Sequence, residues 1–225
     1  MLEQGKKMKI AIHQPHYWPW LPYIQKVQKA DLFVYLDDVQ FEKNGLQNRC
    51  RLEYPGRGLQ WLTVPVRHKF GQAINETRID KRAIRSHLAA LLTLFGAKHV
   101  EEMRAVYGDH DNLADLAIAT TEHVLGKLRI PTTTIRASGV GPSDRKGSAR
   151  LADLCAELGA TTYLAGSGSR NYLDRAPFDA IGCKIVVQRL AVPAFGPSSL
   201  QLLLRDGPVL GWGVAVEQCA TWEEF

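Results

Sequence analysis

The fold of this chain is decided by one stretch, Met8-Lys-Ile-Ala-Ile-His-Gln-Pro-His-Tyr-Trp-Pro-Trp20. Its first part has the apolar character of a short buried strand over residues 9–12. Two histidines, a glutamine, two prolines and three aromatic residues follow at once, a density of polar and aromatic side chains that folding alone does not require. Because open α/β sheets bind ligands outside the carboxyl ends of their strands, this pattern predicts a ligand site at the end of the first strand.

The residues that follow complete a βαβ unit. Residues 21–30 have helical spacing, with Pro22 in the first turn, where its missing N–H costs nothing. Tyr23, Ile24 and Val27 share one face of that helix. Residues 31–38 are rich in β-forming side chains and predict a second strand. This order favours parallel strands joined by a right-handed crossover.

The remaining sequence alternates between helical and strand patterns. Residues 47–66 predict two strands joined by the turn Pro55-Gly-Arg-Gly58. Helical patterns cover 81–103 with a break at Gly96, 110–128 with a stop near Gly126, 148–158 and 198–204. Strand patterns cover 131–136, 161–165 and 183–190. The tail 221–225 has no assigned role. The fold class is therefore α/β: a parallel-sheet, Rossmann-like core with helices on both faces and a small two-stranded insertion around residues 47–66.

Composition narrows the class of protein. The chain has 225 residues, 45% hydrophobic and 23% charged, and we expect a loose extension at 1–7 before one domain at 8–225. Positive and negative side chains are interspersed rather than grouped in blocks, and the net charge of +5 suits an anionic ligand such as a nucleotide. The four cysteines lack zinc-ligand spacing, so we expect no metal site of that kind. With no long apolar run and no secretory signal, we expect no membrane span and a cytoplasmic location.

The candidate catalytic residues are His13, His16, Asp37 and Asp38. Two imidazoles three residues apart can transfer protons or stabilise developing negative charge, although His16 could instead cap a turn and His13 bind a carbonyl. A carboxylate at a strand end suits a base or a cation. Asp37 and Asp38 should point to opposite faces, so we expect one of them at most to enter the site; the alternative is a strand-ending turn.

Two groups of residues are predicted to bind substrate. Aromatic rings beside the histidines could stack on a sugar or base, or pack in the core, and arginine forks suit phosphate or carboxylate unless they form a solvated face. Glycines and hydroxyls after a late strand can cradle an anion or form a plain turn. The predicted binding residues are Gln14, Tyr17, Trp18, Lys43, Asn48, Arg49 and His68 in the first half, and Gly166, Ser167, Ser169, Arg170 and Tyr172 in the late loop.

These motifs together resemble the WbqC-like protein family. The matching segments are Ile12-His-Gln-Pro-His-Tyr-Trp-Pro-Trp-Leu-Pro-Tyr23, Ala30-Asp-Leu-Phe-Val-Tyr-Leu-Asp-Asp-Val-Gln-Phe41, Gln47-Asn-Arg49, Trp61-Leu-Thr-Val-Pro65, Thr162-Tyr-Leu-Ala-Gly166 and Tyr172-Leu-Asp174. The family is found among O-antigen polysaccharide biosynthesis functions. The resemblance implies a transferase that acts on an amino sugar by acyl or aminoacyl transfer, forming an amide. One departure is that Ser199-Leu-Gln-Leu lacks the acid that the family usually carries there.

The order of strand, paired histidines and helix also resembles the nucleotidylyltransferase layout and the sequence rhythm of pantothenate synthetases. Pro15 stands where that histidine motif has glycine. This resemblance implies an ATP-activated acid, with magnesium following if ATP is used. The expected partners are a nucleotide-sugar or amino sugar and an acyl or aminoacyl donor, with nucleic acid expected only as an aminoacyl-tRNA donor. The competing hypothesis is a non-catalytic binding protein for a nucleotide-sugar or nucleic acid.

Overall fold

The computed structural model describes residues 7–97, 100–141, 143–193, 196–204 and 210–225, so the predicted extension lies outside the described residues except for Lys7. Within these ranges the chain forms ten strands and eight α-helices. The strands are β1 (Lys9–His13), β2 (Leu32–Tyr35), β3 (Arg49–Tyr54), β4 (Gly58–Thr63), β5 (Val66–Arg67), β6 (Arg78–Ile79), β7 (Thr133–Arg136), β8 (Thr162–Ala165), β9 (Lys184–Leu190) and β10 (Ala220–Glu224). The helices are α1 (Leu21–Gln28), α2 (Lys81–Phe95), α3 (Val100–Tyr107), α4 (Leu113–Leu128), α5 (Gly147–Glu157), α6 (Ala176–Asp179), α7 (Ser199–Leu204) and α8 (Leu210–Gln218).

A six-stranded sheet in the order β10-β9-β8-β1-β2-β7 forms the centre of the fold. The five strands from β9 to β7 are parallel, and β10 pairs antiparallel with β9 at one edge. The chain runs from β1 to β2 on one side, and β8 later returns to the other side of β1. The order of strands therefore reverses between β1 and β8, the place where sheets of this class bind ligands.

Apolar side chains cover both faces of this sheet. Ile10 and Ile12 belong to the same buried cluster as Leu154 of α5, whereas Ala11 belongs to the cluster that contains Ile24 of α1. Neighbouring residues of β1 thus point into different cores, as strand geometry requires. A parallel sheet covered by helices on both faces confirms the predicted Rossmann-like class.

The predicted two-stranded insertion is also present. Strands β3 and β4 pair antiparallel, and Tyr54 faces Gly58 next to the turn. A second pair, β5 with β6, was not expected from the sequence because each strand has only two residues. Residues 49–79 therefore form an antiparallel unit outside the main sheet.

Two helix ends and the C-terminal tail differ from the sequence-based expectation for reasons that the local backbone shows. The helical pattern of 81–103 forms two helices, because Gly96 has a φ of 79° and ends α2. Gly126 does not end α4; the helix continues to Leu128, and Arg129 in the left-handed conformation caps it. A helix interior tolerates one glycine at a cost of about 1 kcal/mol. The tail forms strand β10, whose acidic side chains suit an exposed sheet edge.

Among the described helices, none combines the length and the apolar character needed to cross a membrane.

Candidate functional site

Two loops meet where the strand order reverses. His13 is the last residue of β1, and Gly166 follows β8 directly. A Cβ atom placed on Gly166 would lie 3.8 Å from Nε2 of His13 and 3.9 Å from Nζ of Lys26. Glycine thus leaves space beside an imidazole and an ammonium group. Because β1 and β8 are parallel, their carboxyl ends bring these groups to one edge of the sheet.

The His13 ring has a defined tautomer. Its Nδ1 lies 3.2 Å from the carbonyl oxygen of Gln14. A carbonyl oxygen only accepts hydrogen bonds, so Nδ1 carries the proton and donates it. Nε2, the atom beside Gly166, is then left with its lone pair. The rings of His16 and Tyr23 meet the His13 ring edge-on, with centroids 4.6 Å and 4.9 Å away, and hold its orientation.

Burial keeps both histidines neutral. The ring of His16 is buried and stacks on Tyr23 at 4.8 Å, and its Nδ1 has no hydrogen-bond partner among the described residues. Desolvation, followed by the charge of Lys26, lowers the pKa of His16 to about 3. The same two causes hold the pKa of His13 well below 6.5, and His16 adds to them. At neutral pH both imidazoles can therefore accept or donate hydrogen bonds without carrying charge.

Lys26 is a member of this cluster that the sequence analysis missed. It lies on α1, is only 2% exposed, and its Nζ donates to the carbonyl oxygen of Ile12 at 2.8 Å. The Tyr163 ring lies 5.9 Å from Nζ. Burial lowers the pKa of Lys26 to about 7. Its position three residues after Tyr23 was compatible with either face of the helix, so the sequence held no decisive signal for its burial.

A buried lysine calls for an explanation because the residue is almost never fully buried without a paired charge. Within the described residues, the contacts of the Lys26 ammonium are the Ile12 carbonyl oxygen and the more distant Tyr163 ring. Strongly perturbed ionisable groups in a ligand-binding edge are candidates for function. We therefore include Lys26 in the candidate site, which we call the switch-point cluster: His13, His16, Lys26 and Gly166.

Gln14 anchors the loop that follows β1. Its Oε1 accepts from Nε2 of Gln47 at 2.8 Å, and Oε1 of Gln47 accepts from the backbone N–H of Glu42 at 2.8 Å. Gln47 is buried. This relay ties the histidine loop to the segment before β3 and stabilises its position.

Tyr17 and Trp18 lie in the core, which is the alternative that the sequence left open. Each is 1% exposed. The hydroxyl of Tyr17 bonds the Tyr107 hydroxyl and lies 3.1 Å from Nδ1 of His87, while Nε1 of Trp18 donates to the Tyr107 hydroxyl at 3.3 Å. Trp18 adopts a φ of 46°, a conformation that a bulky side chain keeps only when its surroundings hold it. Their packing supports the loop from behind.

The two acids after β2 have different surroundings. Asp37 is fully buried, and its two carboxylate oxygens accept from the backbone N–H and the hydroxyl of Ser138 at 3.0 Å and 2.7 Å. This carboxylate joins the ends of β2 and β7. Asp38 pairs through Oδ2 with Nη2 of Arg150 at 2.9 Å, and its buried Oδ1 has no hydrogen-bond partner in the described part of the chain.

These contacts limit how the acids could hold magnesium. Both oxygens of Asp37 already accept hydrogen bonds, which leaves Oδ1 of Asp38 as the oxygen of this pair that could turn to a cation. Across the described ranges, no three His, Cys, Asp or Glu side chains are grouped to hold a metal ion. Magnesium commonly arrives with substrate phosphates and keeps several waters, so a nucleotide would have to supply most of its ligands.

The antiparallel unit brings two arginines close to His16. The guanidinium of Arg49 stacks on the Trp61 ring at 4.0 Å, and that of Arg51 lies 5.5 Å from the same ring. Arg49 and Arg51 also line a small cavity with His16 and Ser198, which has about 10 Å³ of space, enough for one water molecule. Asn48 is buried, and its Nδ2 donates to the carbonyl oxygen of Val64 at 2.8 Å.

The other predicted binding residues lie outside the switch-point cluster. Lys43 and His68 are exposed on the antiparallel side of the molecule. In the late loop, which forms a short 3₁₀ turn over Ser167–Asn171, Ser169 is buried and Ser167 is half-buried. Arg170 forms an ion pair with Glu223 of β10, and Tyr172 is 69% exposed. Gly166 is thus the residue of this loop that reaches the histidines in the structure, and the roles of the others remain predictions.

The comparisons with known proteins agree with the resemblance read from the sequence. The uncharacterized protein Rv1507c of Mycobacterium tuberculosis is 34% identical over 187 residues, which cover 79% of this chain and 80% of the relative. No solved structure matches the chain. The sequence profile of the WbqC-like protein family matches residues 14–197, which include His16, Lys26 and Gly166. The chain therefore belongs to the WbqC-like protein family.

Proposed function

We propose that this protein is a transferase of amino-sugar biosynthesis that forms an amide by acyl or aminoacyl transfer. The observation that carries the proposal is the placement of Nε2 of His13 and the buried Lys26 amino group around Gly166, with the Gln14 carbonyl oxygen in contact with Nδ1 of His13. Membership of a family whose name is linked to O-antigen polysaccharides favours a sugar as the acceptor.

Amide formation requires two catalytic contributions from the protein. The attacking amine must lose a proton, and the carbonyl oxygen of the acyl group must carry negative charge in the transition state. Nε2 of His13 has the lone pair to accept that proton. Lys26, with a pKa of about 7, carries positive charge in part of the molecules at neutral pH and stabilises an anionic oxygen beside it.

His16 contributes indirectly in this proposal. Its neutral ring contacts the ring of His13 and stacks on Tyr23. It therefore orients His13 and excludes water without adding charge. Gly166 leaves the space in which the acyl group would lie, and Asp37 holds the neighbouring strand ends through Ser138.

The donor determines whether a nucleotide takes part. An acid activated with ATP would bring magnesium on its phosphates, and Oδ1 of Asp38 is the protein oxygen that could approach it. An acyl-CoA or an aminoacyl-tRNA would need no ATP. The chemistry assigned to His13 and Lys26 is the same for each donor, because each reaction ends with attack of an amine on an activated carbonyl.

The test supplies nucleotide-linked amino sugars together with each donor class in turn: ATP with a panel of acids, acyl-CoA, and aminoacyl-tRNA. Mass spectrometry would detect the new amide, and ATP–pyrophosphate exchange would detect an adenylate. We expect product with one donor class and a loss of about 100-fold or more in His13→Ala. His110→Ala, which replaces a histidine between α3 and α4, serves as the matched control and should retain activity.

Two outcomes would contradict the proposal. If no donor yields an amide while the sugar nucleotide still binds, the protein is a binding module and has no turnover to lose. If product forms at an unchanged rate in both His13→Ala and Lys26→Met, the chemistry takes place elsewhere in the molecule.

A further inference from the structure

The net positive charge of this protein is confined to one region. Residues 42–85 contain ten of the 28 lysines and arginines but only four of the 23 acids, so the rest of the chain is nearly neutral. That region includes the antiparallel strands β3 to β6. A single-sign field on one part of a protein attracts polyanions.

Two exposed aromatic rings lie among these charges. The Trp61 ring is 42% exposed and lies against the guanidinium groups of Arg49 and Arg51, and Phe70 is 97% exposed at a loop tip. A single exposed ring is common on a protein surface, but exposed rings grouped with cations can mark an interaction site. Rings interleaved with cations are the arrangement that binds single-stranded nucleic acid, through base stacking and phosphate contacts.

Contacts in the structure connect the segments that carry the two rings to the stretch of chain before β3. Nη2 of Arg49 donates to the carbonyl oxygen of Asn44, next to the exposed Lys43. The Phe41 ring packs on the ring of His68 at 4.8 Å, and the backbone N–H of Phe41 donates to the carbonyl oxygen of Gln72 at 2.8 Å, so the loop that carries Lys69 and Phe70 contacts the same stretch. We call this the basic-aromatic surface; it consists of Lys43, Arg49, Arg51, Trp61, Lys69 and Phe70.

The surface ends at the candidate site. Arg49 and Arg51 line the small cavity that His16 also lines. A nucleotide chain that contacts Arg49 and Arg51 would therefore lie close to His16 of the switch-point cluster. Two stacking rings separated by cations on different segments suit a chain of nucleotides better than a single nucleotide.

We propose that the basic-aromatic surface binds the single-stranded 3′ end of an RNA, and that the acyl donor of this enzyme is an aminoacyl-tRNA. This inference rests on the proposed function and selects one of its donors. The acceptor amine of the sugar attacks the ester carbonyl of the aminoacyl-tRNA, the amide bond forms, the ester bond breaks, and the RNA leaves as its 3′-terminal alcohol after taking up the proton that the amine loses. No oxidant, reductant or nucleotide is consumed.

The first test measures binding alone, by fluorescence anisotropy of the full-length protein with fluorescein-labelled, deacylated bacterial tRNA at about 50 mM salt. We expect saturable binding that weakens with salt, with a logarithmic slope of about −2 to −3 for three or four phosphate contacts at about 0.7 each. Phe70→Ala should weaken binding by about fivefold or more, and Trp61→Ala should do the same, as expected for loss of one stacked base. Because Phe70 is almost fully exposed, its replacement leaves the fold intact.

A matched control carries the same kinds of side chain away from the surface. Ile181 and Lys184 are both exposed, near the start of β9, and the double variant Ile181→Ala/Lys184→Ala should bind tRNA like the wild type. Absence of saturable binding would overturn the inference. So would binding that depends on salt but not on Phe70 or Trp61, since that result indicates charge attraction without stacking.

The two proposals can fail separately. An amide formed from acyl-CoA or from ATP and an acid, together with no effect of Phe70→Ala on tRNA affinity, would refute the RNA inference and leave the transferase proposal standing. Binding of tRNA through both rings, with no amide formed from any donor, would refute the transferase and support an RNA-binding surface alone.

Discussion

Replacing Lys26 by methionine should make this protein more stable at neutral pH while it destroys the proposed activity. The ammonium is 2% exposed, and burial lowers its pKa from the ordinary value of 10.5 to about 7. In the unfolded chain, Lys26 keeps its proton up to pH 10.5, whereas in the folded chain it begins to lose it near pH 7. The unfolded chain therefore binds the Lys26 proton more tightly than the folded chain does, which lowers the free energy of unfolding at pH 7.

The magnitude follows from the gap between these pKa values. At about 1.4 kcal/mol per pH unit, a gap of 10.5 against about 7 corresponds to a cost of about 5 kcal/mol at pH 7 as an upper bound. The variant loses the hydrogen bond from Nζ to the Ile12 carbonyl oxygen, which reduces the gain in the free energy of unfolding by about 1–3 kcal/mol. Methionine has a similar length and no charge, so Lys26→Met should gain about 2–4 kcal/mol at pH 7.

The sign of the pH dependence distinguishes this cause from better packing. Between pH 7 and 10.5 the unfolded chain binds the Lys26 proton and the folded chain does not, so wild-type stability rises with pH through this group. The advantage of Lys26→Met should therefore shrink by about 1.4 kcal/mol per pH unit and lose about 3 kcal/mol between pH 7 and 9.5. Groups common to both proteins cancel in the difference.

Urea denaturation of both proteins at several pH values between 7 and 9.5, with reductant present for the four buried free cysteines, measures this difference. Lys29→Met is the matched control, since Lys29 follows α1 directly and pairs with Glu217 at the surface. It should change stability by less than about 0.5 kcal/mol at every pH. A stability difference for Lys26→Met that does not vary with pH would refute the reasoning, because it would mean that Lys26 keeps its ordinary pKa in the folded protein.

Three further predictions concern the cluster and its support. His16→Phe should make folding less sensitive to acid. Burial lowers the pKa of His16 to about 3 in the folded chain, so the free energy of unfolding of the wild type falls by up to about 1.4 kcal/mol per pH unit through this group below pH 6.5. Urea midpoints at pH 6.5 and 4.5 should fall less in the variant than in the wild type. Ser138→Ala should cost about 1–3 kcal/mol by depriving the buried Asp37 carboxylate of its hydroxyl donor, and an unchanged urea midpoint would contradict that role. Gly166→Ala should fold normally, since its Cβ would lie at ordinary contact distances of 3.8 Å and 3.9 Å, but should lower turnover by about tenfold by occupying the space beside His13; full turnover would contradict the placement of substrate there.

Local sequence patterns were sufficient for the first βαβ unit and for the β3–β4 pair. The apolar run before His13 and the helical spacing of Tyr23, Ile24 and Val27 predicted β1, α1 and the parallel strand β2. These signals are contained within thirty residues, where periodicity and capping dominate. The two-stranded insertion was predicted for the same reason, since a turn with two glycines separates its strands.

Local sequence patterns do not predict which distant strands pair in the sheet. Nothing in the sequence near Gly166 states that β8 lies beside β1, yet that pairing brings the glycine to His13. The role of Asp37 depends on Ser138, which is 101 residues away, and a carboxylate predicted for catalysis forms a structural contact there. Strand β10 was missed because its acidic, aromatic sequence gives a weak strand signal until β9 provides a partner.

The burial of Lys26 illustrates a different limit. Lysine on a short amphipathic helix normally extends to solvent, and its position three residues from Tyr23 was compatible with either face. The neighbouring strand β8 and α5 decide the matter, because Tyr163 and Cys155 lie around the ammonium group. The sequence therefore predicted the loop that carries His13 and His16, and the assembled sheet places the Lys26 amino group beside them.

The central claim is that ligands bind at the switch-point cluster. An NMR titration of isotope-labelled histidine distinguishes this cluster, since the other five of the seven histidines lie between residues 68 and 123. Imidazole signals would be followed while a nucleotide-linked amino sugar is added. We expect the signals of His13 and His16 to shift on saturation while those of His110 and His123 stay in place. Shifts confined to histidines other than His13 and His16 would contradict it.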